Sequence, residues 1–213
     1  MKTILVFAAL VAATAALIAR RNAIAWGLVS DGEPDQLPTL LETVQADLNP
    51  LNYRGVNMSN DQADRNLKAF LDMIAYSEGT SGPDGYRTLF GGGKFDSFAD
   101  HPRVYKSFTN GIGQVLKTSA AGRYQFLAKT WDAMAAALHL PDFGPESQDR
   151  AAIELISQRG ALNDVRAGRT ENAIRKCAPI WASMPGAGYA QPERKLSALV
   201  AQYRAAGGVL EAA

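Results

Sequence analysis

The segment IAYSEGTSGPDGY, residues 74–86, runs an apolar helical pattern into Ser77 and Glu78 and then breaks at Gly79, Gly82, Pro83 and Gly85. A carboxylate at a helix C-terminus meets the negative end of the helix dipole, which disfavours its ionisation. Partial burial would raise its pKa further. A carboxyl kept protonated near neutral pH suits the protonation of a glycosidic oxygen, and the glycines behind it leave room for a long polymer. The plainer reading of Glu78 is a solvated acid that ends a helix. Asp84, Asp96 and Asp100 are the candidates for a second carboxylate, and Asp84 and Asp100 read more economically as turn residues. His101 and His139 lie far apart and give no metal-ligand spacing. His101 reads as a local hydrogen-bonding residue. The single Cys177 excludes an internal disulfide and a multi-cysteine zinc site, and its apolar helical neighbours make it a packed thiol. No metal and no cofactor is expected.

These residues need elements to hold them. Ser59-Asn60-Asp61-Gln62 has the form of a capping box, after which Leu67, Phe70, Leu71 and Ile74 recur at helical spacing up to Glu78. Between Tyr86 and Phe98 the aromatic residues alternate loosely around Gly91-Gly92-Gly93, which predicts a short hairpin with a glycine turn. No Lys-Ser/Thr pair and no helix signal follows those glycines, so they do not form a phosphate loop. Helical patterns then cover Thr130 to Leu138 and Pro145 to Gly160, with Trp131 and Met134 on one face of the first. A third, capped by Thr170, carries Ile174, Cys177 and Trp181 and is interrupted near Pro179. Pro192 opens the last, with Leu196, Leu199, Val200 and Tyr203 inward and Gly207-Gly208 at its end. The expected fold is α+β and predominantly helical, with a small β-hairpin region. Trp131 and Trp181 are assigned to the core. Arg123 either contacts a polymer or forms a structural ion pair.

The 213 residues suffice for one domain with a full core plus a tail. The catalytic domain is expected over residues 59–213, residues 22–58 read as a linker with one short helix, and residues 1–21 form a hydrophobic segment. Thr3 to Ala19 carries no charge, with Lys2 before it and Arg20-Arg21 after it. Three readings stand open for this segment: a cleaved signal peptide, an uncleaved membrane anchor, or a helix buried in an assembly such as a virion. The formal net charge of +1 offers no field for nucleic acid.

The segments KAFLDMIAYSEGT, GGGKFDSFADHPR, AAGRYQFL, RGAL and CAPIWASMPGAGYAQ together resemble the phage lambda-type lysozyme family, in order and over roughly Asn66 to Val209. The resemblance implies a lysozyme-like fold and an endolysin that acts as a lytic transglycosylase on peptidoglycan glycan strands. It implies Glu78 as the single catalytic acid, Gln125 as a cleft residue near the scissile bond, and Tyr189 as an aromatic lining the cleft. Ser77, Tyr86 and Tyr124 complete the expected substrate-binding set. One departure stands out: the family pattern has an Asp after its Gly-Tyr pair, and Arg87 occupies that position here. A transglycosylase needs no second carboxylate, whereas a hydrolytic lysozyme ordinarily does. Two alternatives remain at this point, a hydrolase using the same acid and a structural virion component that only binds glycan. The expected location is the periplasmic side of the inner membrane or the virion, with membrane or virion proteins as partners through residues 1–21.

Overall fold

The computed structural model describes residues 60–212. The N-terminal hydrophobic segment, the linker and Ser59 of the expected capping box lie outside these residues. Helix α1 (Asn60–Ser77) is followed by a 3-10 turn (Gly85–Arg87) and an antiparallel hairpin of β1 (Lys106–Thr109) and β2 (Val115–Thr118). Five helices complete the described chain: α2 (Ala128–Leu138), α3 (Pro145–Gln158), α4 (Leu162–Ala167), α5 (Thr170–Cys177) and α6 (Leu196–Ala205). The architecture is helical with one small two-stranded sheet.

Helix α1 is the central element. Asn66, Ala69, Phe70, Met73, Ile74 and Ser77 recur at three- and four-residue spacing and are all buried, so a single face enters the core. That face packs against α4 and α6. Asn66 is fully buried and fully used: its Nδ2 donates to the Arg166 carbonyl at 2.9 Å, and its Oδ1 accepts from the Val209 N–H at 2.9 Å. Pro145 occupies the first turn of α3, where its missing N–H costs nothing. The aromatic core gathers on Phe143, whose ring centroid lies 4.5 Å from that of Trp131 and 4.8 Å from that of His101. Trp131 and Trp181 are both core residues, at 2% and 3% exposure.

Three expectations need correction. The sheet does not lie around the triple glycine. There, a single bridge joins Thr88 to Lys94, and the Leu89 N–H meets the Gly93 carbonyl at 3.0 Å across a tight turn. The hairpin lies further on, where Lys106 pairs with Thr118 and Thr109 with Val115. Phe95 and Phe98 pack edge to face with each other instead of alternating along a strand. Helix α6 starts at Leu196 rather than at Pro192, because Glu193 is occupied in a loop, where its carboxylate accepts the N–H groups of Gly186 and Gly188. Thr170 is the first residue of α5 and not its cap, and that helix ends at Cys177, so Trp181 lies beyond it. The six-residue α4 has no counterpart in the sequence reading.

Candidate active site

Glu78 closes α1. The Gly79 N–H bonds to the Tyr76 carbonyl at 3.1 Å and the Thr80 N–H to the Ala75 carbonyl at 2.8 Å, with Gly79 at φ +74°. This is a Schellman ending with glycine in the left-handed conformation, and it makes Glu78 the C-cap residue. The carboxyl is half-buried. Its Oε1 accepts a hydrogen bond from Ser183 Oγ at 2.6 Å, and Glu78 belongs to none of the ion pairs among the described residues. Burial raises its pKa above the ordinary carboxylate value, and the Ser183 hydrogen bond and the charge of Arg194 offset only part of that rise. The result is a carboxyl biased towards its protonated form.

The other expected site residues divide into two groups. Gln125 is half-buried and sits at φ +49° in the tight turn that joins Ala121 to Phe126. Its amide donates to the carbonyls of Gly122 at 2.9 Å and Thr88 at 3.3 Å. Tyr189 is 49% exposed, and its hydroxyl donates to the Pro179 carbonyl at 2.8 Å. Tyr124 and Ser77, also expected to bind substrate, are buried at 1% and 4% exposure. Tyr124 donates to Asp149 Oδ1 at 2.6 Å, and Ser77 faces the Ile74 carbonyl and Ser183. Tyr86 is intermediate: its ring is half-buried and its hydroxyl donates to the same Asp149 oxygen at 2.9 Å. Burial and that carboxylate push its phenol up to about 12.

Sequence reasoning missed the residues that hold this arrangement together. Asp149 on α3 gathers both tyrosines. Gln148 beside it is fully buried, accepts from the Arg123 N–H at 2.8 Å, and donates to the carbonyls of Tyr86 at 3.0 Å and Phe143 at 2.7 Å. Gly122 is required beside it, since a Cβ there would lie 2.2 Å from Gln148 Oε1. Arg123 pairs with Asp72 on α1 and lies 5.2 Å from the Tyr86 ring, which decides its alternative in favour of the structural ion pair. Ser183 and Arg194 are likewise new to the site. Arg194 bonds through its N–H to the Ser183 carbonyl at 2.8 Å and through Nε to the Ser77 carbonyl at 3.4 Å. Ser183 lies inside the quoted segment CAPIWASMPGAGYAQ, but its role depends on a contact that no local pattern encodes.

Of the three candidates for a second carboxylate, Asp84 and Asp100 are engaged by neighbouring side chains. Asp84 pairs with Lys94, and Asp100 accepts from Arg103 at 2.8 Å and from Trp131 Nε1 at 3.2 Å. Asp96 is exposed. Arg87, at the position of departure, donates to the carbonyls of Phe95 and Asp96, and its guanidinium carbon lies 4.1 Å from the Phe98 ring. It braces the loop from below.

The endolysin of Escherichia phage lambda is 46% identical over 149 residues, which cover 67% of this chain and 92% of that protein. The endolysin of Escherichia phage P2 is 50% identical over 159 residues, covering 68% and 94% respectively. The solved structure of bacteriophage lambda lysozyme complexed with a chitohexasaccharide matches with a TM-score of 0.63 at 42% identity, over 74% of this chain and all of that one. A second structure of lysozyme from bacteriophage lambda matches with a TM-score of 0.60. The fold is lysozyme-like. The sequence model of the Endolysin family matches residues 68–210, and this chain belongs to that family.

Proposed function

We propose that this endolysin is a lytic transglycosylase acting on the β-1,4 bond between N-acetylmuramic acid and N-acetylglucosamine. Its family makes it a phage peptidoglycan-degrading glycosidase; the proposal concerns how the bond is broken. The observation that supports it is the solitary state of Glu78. Asp84 and Asp100 are held by cations, Asp96 is exposed to solvent, Asp149 is held by two tyrosines, and the position where the family pattern has an acid is Arg87. A retaining hydrolase needs a second carboxylate about 5–5.5 Å from the first, and an inverting one needs it farther away.

In the transglycosylase route Glu78 gives its proton to the glycosidic oxygen as the bond to C1 breaks. The resulting carboxylate takes a proton from the muramic acid 6-hydroxyl, whose oxygen attacks C1 and closes a 1,6-anhydro ring. The acid is restored and no water is consumed. A chitohexasaccharide bound to lambda lysozyme supports an extended glycan as the ligand class. Mass spectrometry of purified peptidoglycan digested by the full chain is expected to show anhydromuramic ends, and reducing muramic ends without them would refute the route. Glu78→Gln is expected to remove activity while the fold is kept, and an active variant would refute Glu78 as the acid. The substrate sets the place of action in the cell envelope, with residues 1–21 proposed to direct the chain there. Cell fractionation tests this, and a protein found only in the cytoplasm at every stage before lysis would refute it.

A further inference from the structure

We propose that Ser183 is a positioning residue for Glu78: with Ser77 it forms a hydroxyl chain that keeps one carboxyl oxygen engaged in both protonation states and leaves the other to face the glycan. The inference rests on the reading of Glu78 as the acid. Ser183 Oγ lies 2.6 Å from Glu78 Oε1 and 2.9 Å from Ser77 Oγ, and Ser77 Oγ lies 2.9 Å from the Ile74 carbonyl. Oε2 takes no hydrogen bond from the described residues.

A serine hydroxyl has one proton to give and two lone pairs to receive with. When Glu78 is ionised, Ser183 donates to Oε1 and Ser77 donates to Ser183. The Ile74 carbonyl is not orphaned by this, because it still accepts the Glu78 N–H at 3.0 Å. When Glu78 carries its proton on Oε2, Oε1 is a carbonyl oxygen and the same bond from Ser183 remains. Should the proton sit on Oε1, both hydroxyls turn: Glu78 donates to Ser183, Ser183 to Ser77, and Ser77 to Ile74. The Glu78–Ser183 and Ser183–Ser77 bonds therefore survive each change of state by rotation about a C–O bond alone, and the Ser77–Ile74 bond is made only in the last of them. An acid that must become a base within one turnover gains a carboxyl plane that does not move between the two tasks.

The backbone supports this role. The Arg194 N–H fastens the Ser183 carbonyl, and Arg194 Nε reaches the Ser77 carbonyl, so one residue ties both serines into the same frame. Arg194, with its guanidinium carbon 5.3 Å from the Tyr76 ring, is also the charged side chain whose field reaches Glu78. Removing the Ser183 hydroxyl leaves that charge in place.

The test is the pH dependence of peptidoglycan cleavage by the full chain carrying Ser183→Ala. Loss of a hydrogen bond that favours the carboxylate is expected to move the alkaline limb of the profile up by about one pH unit. Loss of alignment is expected to lower kcat roughly 10- to 100-fold with KM little changed. Ser183→Thr, which keeps the hydroxyl, is expected to hold the wild-type limb, and Ser77→Ala to move it in the same direction by less. An unmoved limb in both alanine variants would overturn the inference. A Glu78→Gln protein inactive beside an unmoved Ser183→Ala limb would sink only this inference, whereas an active Glu78→Gln protein would sink the underlying assignment as well.

Discussion

Replacing Gln148 by Leu tests whether one buried amide joins the walls of the cleft. The side chain is fully buried and makes three hydrogen bonds, to the Arg123 N–H, the Tyr86 carbonyl and the Phe143 carbonyl. Leucine has nearly the same volume, so the change removes polarity and opens little cavity. Phe143 O is buried with Gln148, and stranding such a group costs about 1–3 kcal/mol. The Arg123 N–H and the Tyr86 carbonyl are partly accessible and recover water in part, so each adds about 0.5–1 kcal/mol. The expected loss is therefore about 2–5 kcal/mol, a large fraction of the roughly 5–15 kcal/mol that holds a domain together. With a urea dependence of about 2 kcal/mol per molar, the unfolding midpoint should fall by about 1–2.5 M. The three bonded groups belong to the 3-10 turn, the Gly122–Phe126 turn and the approach to α3, so cleavage should also decline under conditions where the variant is still folded. A midpoint within about 0.3 M of wild type would refute the reasoning, because it would mean that all three groups find other partners.

Three further outcomes are expected. His101 is buried, receives the Arg103 N–H on Nδ1 at 3.1 Å and faces the Phe126 carbonyl with Nε2 at 2.9 Å, so it is neutral with its proton on Nε2. Its pKa is lowered chiefly by burial, so the unfolded chain takes up the proton first as pH falls below the ordinary value of 6.5. Stability should thus decline as pH falls through 6.5 and below, and urea unfolding of His101→Gln should show a shallower dependence on pH there. Burial pushes the Cys177 thiol up to about 12, so a thiol reagent should label the native protein only at its rate of opening, and rapid native labelling would contradict the packed position. Arg87→Asp restores the acid of the family pattern but removes the brace on Phe95, Asp96 and Phe98, which should cost about 1–2 kcal/mol in urea unfolding and leave the anhydro products unchanged.

Much of the fold could be read from punctuation. Pro145 at a first turn, Gly160 after α3 and the apolar spacing of α1 state their own boundaries, and Gly79 marks the helix end that delivers Glu78. The hairpin was also legible but was placed on the wrong glycines. Asn110-Gly111-Ile112-Gly113 carries the turn chemistry, with Asn110 Oδ1 accepting the N–H groups of Ile112 and Gln114. Its flanking strands are short and mostly exposed, so they lack the apolar alternation that drew attention to Tyr86 and Phe98. Helix α4 lies between Gly160 and Gly168 and is too short to show a period. Within the site, local text marks the acid, the Gln125 turn and an open aromatic. It does not mark Ser183, Gln148 or Asp149, whose parts depend on which segments meet in space. For the same reason, text alone does not show that the Tyr124 hydroxyl bonds to Asp149.

The bond between Ser183 and Glu78 spans 105 positions, and the one between Val209 and Asn66 spans 143. Both tie the first described helix to segments synthesised long after it. A chain still in synthesis has already exposed Glu78, yet it has neither Ser183 to orient the carboxyl nor Val209 to seat the helix that carries it. The same holds for any fragment cut before Ser183: it retains the acid without the frame that directs it. The frame that directs the carboxyl is therefore complete only after Val209 has been made, well after Glu78 itself.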